Sequence, residues 1–108
     1  MAFCLAVNEF YFHPVVVFMQ DDKGGFTPSK FVVKFRRVPL PEMESIKALT
    51  GKELVQSVVI GWKDLHDEEG NEVEFSEEHL DQLISIGPAF SAVYDAFWDS
   101  QFKAKAKN

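Results

Sequence analysis

Cysteine is almost missing from this chain. Cys4 stands alone, so no internal disulfide can staple the fold, and what holds it must be burial and hydrogen bonding. A secretory start is missing too, because Met1-Ala2-Phe3-Cys4-Leu5-Ala6-Val7 carries no basic residue and is soon interrupted by Asn8 and Glu9. That predicts a cytoplasmic protein. No long hydrophobic run is present: the longest strongly apolar stretch, residues 15–19, falls far short of the roughly 20 residues a bilayer-spanning helix needs. No membrane role is expected. Histidine is scarce, and His13, His66 and His79 do not sit at the short spacings that a zinc site uses.

Positive charge is also in short supply, with 11 Lys and Arg against 17 Asp and Glu for a net charge of -6. It is unevenly placed: residues 1–40 hold five basic against three acidic residues, whereas residues 41–108 hold six against fourteen. A surface of that sign repels a phosphate backbone, so a nucleic-acid reader is not expected, and a basic or apolar protein partner fits better.

What the chain has in plenty is apolar and aromatic side chains, 46% and 14% of the residues, with 11 Phe among them. Wholesale disorder is excluded by that composition, and 108 residues suit one domain with a real core. Phe31, Val33 and Phe35 alternate with Lys30, Lys34 and Arg36, the pattern of a half-buried strand. Residues 14–19 are β-branched and aromatic and are expected to pair with it, through turn residues 21–25 that include Gly24-Gly25. Residues 3–12 offer a further strand with an irregular pattern.

Helix signals follow. Pro41 suits the first position of a short helix over residues 41–49. Thr50-Gly51-Lys52-Glu53 is a capping box, flanked by a Leu49/Leu54 staple, for a helix over 51–60 that buries Leu54, Val55, Val58 and Val59, with Trp62 continuing the stripe. Ser76 is an N-cap with Glu77 and Glu78 in the first turn and Phe75/Leu80 as staple, for a helix over 76–86. Pro88 opens a last helix over 88–102, and the lysine-rich residues 103–108 are expected to fray. The expected fold is therefore α+β: an N-terminal antiparallel β-hairpin or small sheet (residues 1–38) packed on a C-terminal bundle of about four short helices (41–102).

Signals for catalysis are weak. Residues 64–81 carry nine acids and no Lys or Arg, but with Gly70 at the sixth position of a calcium loop, Leu65 and Ser76 fall on the ligand positions 1 and 12, so the register fails. Asp64 and Asp67 lie in an exposed turn, which supplies no cleft to separate their pKa values. Cys4 has no local base. The chain is expected to be no enzyme, with no cofactor and no metal.

On the last helix, Phe90, Val93, Tyr94 and Phe97 share one face, while Trp98 and Phe102 are rotated off it, so the stripe is wider than one core contact requires. Trp98 and Phe102, with Tyr94 beside them, are the first candidates for partner binding. Trp62 and the acidic Asp67, Glu68 and Glu69 are the others, although Trp62 also fits a core anchor.

The order of these pieces resembles a known family. Val58 to Trp62 with its Gly61-Trp62 pair, the acidic turn Asp67 to Gly70 and the Phe75-Ser76 helix start are similar to phage tail assembly chaperones of siphophages and prophages. Asn8 to Val17, Ser29 to Pro39 with Lys34-Phe35-Arg36-Arg37, and Pro88 to Trp98 follow the same pattern. The chain departs from it in its richer Phe content and in the loop over 21–27. The resemblance implies a non-enzymatic protein of the bacterial host cytoplasm, absent from the finished particle. It would keep the tail tape-measure protein soluble, help recruit tail-tube protein, and self-associate. A different class, an acidic DNA mimic that occupies a basic protein, is the alternative.

Overall fold

The structure, a computed structural model, describes residues 1–102, and at Phe102 the backbone alone. The expected fraying of 103–108 lies outside the described residues. Two long strands, β1 (Phe10–Gln20) and β2 (Phe26–Arg36), form an antiparallel hairpin in which Val15 faces Phe31 and Tyr11 faces Phe35. The five-residue connection is organised by Asp21, whose Oδ1 accepts from the N–H groups of Lys23 and Gly25 at 2.9 and 2.8 Å, and Gly24 takes φ +86°. Residues 3–9 lie outside any strand, and the irregular pattern there resolves into β1 starting only at Phe10.

Pro39 leads into a single 3-10 turn, Leu40–Glu42, and then α1 (Met43–Lys47), so the helix expected over 41–49 is split and shorter. The capping box forms as expected: Thr50 Oγ1 accepts from Glu53 N, and Glu53 reaches back to Thr50 N. It opens α2 (Gly51–Val58), which buries Leu54, Val55 and Val58.

There the sequence expectation needs correcting. The chain does not stay helical to residue 60; it turns into a strand, β3 (Val59–Lys63), that pairs antiparallel with β2, placing Trp62 opposite Val33 and Gly61 opposite Lys34. Trp62 therefore sits on a sheet, not at a helix end. Three β-branched residues in a row, Val58-Val59-Ile60, disfavour helix and favour strand, and the free edge of β2 supplies the backbone partners. Ile60 is the extra residue of a bulge between the Lys34 and Phe35 pairings. The sheet order is β1-β2-β3.

After an acidic loop, Ser76 caps α3 (Glu77–Ile84) by accepting from His79 N at 3.0 Å. The last helix, α4 (Gly87–Phe102), packs on β1 as well as on α2 and α3. The fold is α+β, a three-stranded antiparallel sheet packed on helices, and the core fills the space between the inward sheet face and the helix stripes. Phe35 and Phe97, both fully buried, meet there edge to face at 5.5 Å. Tyr11 ties the start of β1 to the end of α4 through Ser100 Oγ at 2.7 Å. Among the described residues no helix is long and apolar enough to cross a membrane.

Candidate binding surface

Strand alternation puts odd-numbered residues of the hairpin inward and even-numbered ones outward. Inward, Val15, Val17, Phe31, Val33 and Phe35 are buried. Outward on β1 stand Phe10, Phe12, Pro14, Val16 and Phe18, all exposed, and outward on β2 stand Phe26, Pro28, Lys30, Val32, Lys34 and Arg36. An antiparallel sheet with one packed face normally shows a polar face to water. Here Phe18 is 57% and Phe26 63% exposed, and an exposed apolar patch, unlike a scattered apolar residue, marks an interaction surface.

The charges on this face are all positive. Lys34 runs its stem across Gly61, where an added Cβ would meet Lys34 Cδ at 3.3 Å. Its ammonium then lies 3.9 Å from the centre of the Phe10 ring, and Lys63 Nζ lies 4.6 Å from that of Phe12. Each such contact is worth about 0.5–1 kcal/mol at an exposed site. Arg36 is held instead by a fork on Glu42, at 2.7 and 3.3 Å, and by Ser57. The Arg36 hydrogen bonds keep the Glu42 carboxyl below its ordinary pKa. Burial raises the Tyr11 hydroxyl above its ordinary value, against the hydrogen bond to Ser100 and the charge of Arg37.

The sequence candidates are scattered over the molecule. Trp62 is 9% exposed, its indole N–H donates to Val73 O at 2.8 Å, and its ring meets Phe75 at 4.9 Å, so it anchors the acidic loop to the sheet. Tyr94 and Trp98 are half-buried in an aromatic chain with Phe90 and Phe97. The Phe102 side chain lies outside the described residues. Asp67, Glu68 and Glu69 are exposed at the tip of a loop that repeats the geometry of the β1–β2 turn. Asp67 Oδ1 accepts from Glu69 N and Asn71 N at 2.9 and 3.0 Å, and Gly70 takes φ +86°.

No family model, curated protein or solved structure matches the chain. An open groove between the acidic loop and α3 is lined by Leu65, His66, Val73, His79, Leu83 and Ile86. It shares Leu65, His66, Leu83 and Ile86 with a second groove under the hairpin, past Met19 and Phe31. Among the described residues no group of three or more His, Cys, Asp or Glu is placed to hold a metal. The outward sheet face escaped the sequence analysis, yet a signal was present: Phe10, Phe12, Val16 and Phe18 share one parity.

Proposed function

We propose that the chain is a non-enzymatic phage tail assembly chaperone, which holds the tail tape-measure protein soluble in the bacterial host cytoplasm, helps recruit tail-tube protein, and leaves before the virion is complete. The observation that carries this reading is the outward sheet face, with its exposed Phe10, Phe12, Val16, Phe18 and Phe26. A long helical tape-measure protein exposes apolar stripes, and such a face can cover them. The order of Gly61-Trp62, the acidic turn closed by Gly70, and the Phe75-Ser76 helix start supports this reading, whereas the Gly-Trp pair lies on a strand and not at the helix end that the resemblance implied.

This reading moves the main client contact from Trp98 and Phe102 to the sheet. Co-expression with a phage tail tape-measure protein tests the proposal. The chain should carry that protein into the soluble fraction and co-purify with it, and Phe12→Thr/Phe18→Thr should lose both effects. A tape-measure protein equally soluble without the chain would overturn the chaperone reading, and one retained by the double variant would move the contact off the sheet.

A further inference from the structure

Two surfaces of the molecule each carry charge of a single sign. The outward sheet positions include no Asp or Glu, and Lys30, Lys34 and Lys63 have no carboxylate partner among the described residues; Arg36 alone is neutralised there, by Glu42. Residues 64–81 are the reverse, with nine carboxylates, all exposed, and no Lys or Arg. We infer that the outward sheet face docks the acidic segment 64–81 of a second copy of this chain, head to tail.

Three observations select that occupant. Phe18 and Phe26 leave water only if something covers the face, and no segment among the described residues does. Lysines interleaved with phenylalanines match a surface that is acidic with some apolar content, and the acidic segment offers that mixture, because Leu65, Val73 and Phe75 are half-buried between its carboxylates. A single-stranded nucleic acid could also stack on exposed aromatics, but the face offers it only Lys30, Lys34 and Lys63, few cations with which to neutralise a phosphate backbone. Because the two surfaces differ, a pair joined by one such contact still presents one free sheet face and one free acidic segment, and head-to-tail association runs on into a ring or an open chain.

In the pure chain this contact covers the face that a client would otherwise occupy. It uses the same surface as the chaperone reading but needs no client, so purified protein tests it separately, and either can fail while the other stands. Two variants on exposed positions suffice: Phe18→Thr/Lys30→Gln/Lys63→Gln weakens the sheet face, and Glu68→Gln/Glu69→Gln/Glu74→Gln weakens the acidic segment. Neutral replacements avoid creating a new pair of complementary charges. Circular dichroism checks that each variant is folded.

In sedimentation velocity, the wild-type chain should form species larger than a dimer at low salt and revert to monomer in molar salt. Each variant alone should stay monomeric, and an equimolar mixture should form a complex of two chains and no more, since one good face then meets one good segment. A wild-type chain that is monomeric at every concentration, a closed dimer indifferent to salt, or variants that fail to pair when mixed would each overturn the inference. So would a monomeric chain that binds a fluorescent oligothymidylate through the sheet face, which would make the face a nucleic-acid surface. Should a variant not fold, the salt dependence of the wild type decides alone.

Discussion

The two faces of the β1–β2 hairpin are built from the same kinds of residue and have opposite fates. Inward, Phe31, Val33 and Phe35 are sealed against the helices. Outward, Phe10, Phe12, Phe18 and Phe26 stand in water beside lysines. The helices make the difference: α4 packs on β1 and α2 on β3, and the strand residues that end up buried are the inward ones. Hydrophobicity says that a side chain gains from burial; topology decides whether the fold itself supplies the partner. A surface left without one is where function is to be sought.

The largest effect should come from the inward face. Phe35→Ala removes a fully buried ring that touches Tyr11 and Phe97, and should cost about 3–5 kcal/mol in denaturant unfolding. Trp62→Ala should fall in the same range of about 3–5 kcal/mol, and Trp62→Phe, which drops the hydrogen bond to Val73 while keeping an aromatic ring, should cost less. A loss under about 1 kcal/mol for Phe35→Ala would mean that the two faces differ less than their burial implies.

An intermediate effect belongs to the paired Asp-x-x-Gly loops. Nothing lies within 4 Å of a Cβ added at Gly24 or Gly70, and both have φ +86°. Their replacement by Ala should therefore cost only the left-handed backbone penalty, about 1–2 kcal/mol each. Equal losses at the two sites would show that the loops are equivalent; a neutral Gly70→Ala would show that the acidic loop is not held in this turn.

Smaller still is the pH dependence. Glu42 has a lowered folded pKa through its Arg36 hydrogen bonds, so its contribution is present above the ordinary carboxyl value and fades as pH falls through the folded one. Tyr11 has a raised pKa, chiefly from burial. Its contribution is present below the ordinary phenol value and is lost as pH rises through the folded one. Stability profiles of Arg36→Gln at acid pH and of Tyr11→Phe at alkaline pH should each be flatter than wild type in that window.

How much of this could be read from the sequence depended on whether two signals agreed. In β2 the apolar residues alternate with Lys30, Lys34 and Arg36, and the strand and its buried face were both legible. In β1 both parities are apolar, so the pairing was legible but the exposed face was not. The caps at Thr50 and Ser76 are local hydrogen-bonding devices and were correct as read. The strand β3 was missed because Val55, Val58, Val59 and Trp62 also fit a helical stripe; the β-branched run Val58-Val59-Ile60 leans against helix, and the long-range pairing of Trp62 with Val33 completes the strand.

The central claim is that the outward phenylalanines serve binding and not the fold. Denaturant unfolding of Phe12→Thr/Phe18→Thr tests it most directly, since Thr keeps the strand preference while removing the rings. The account predicts a loss of no more than about 1 kcal/mol, the size of the Lys63–Phe12 contact that goes with the ring. A loss of about 3 kcal/mol or more, the size expected of a core ring, would contradict it and make both faces of the hairpin part of the core.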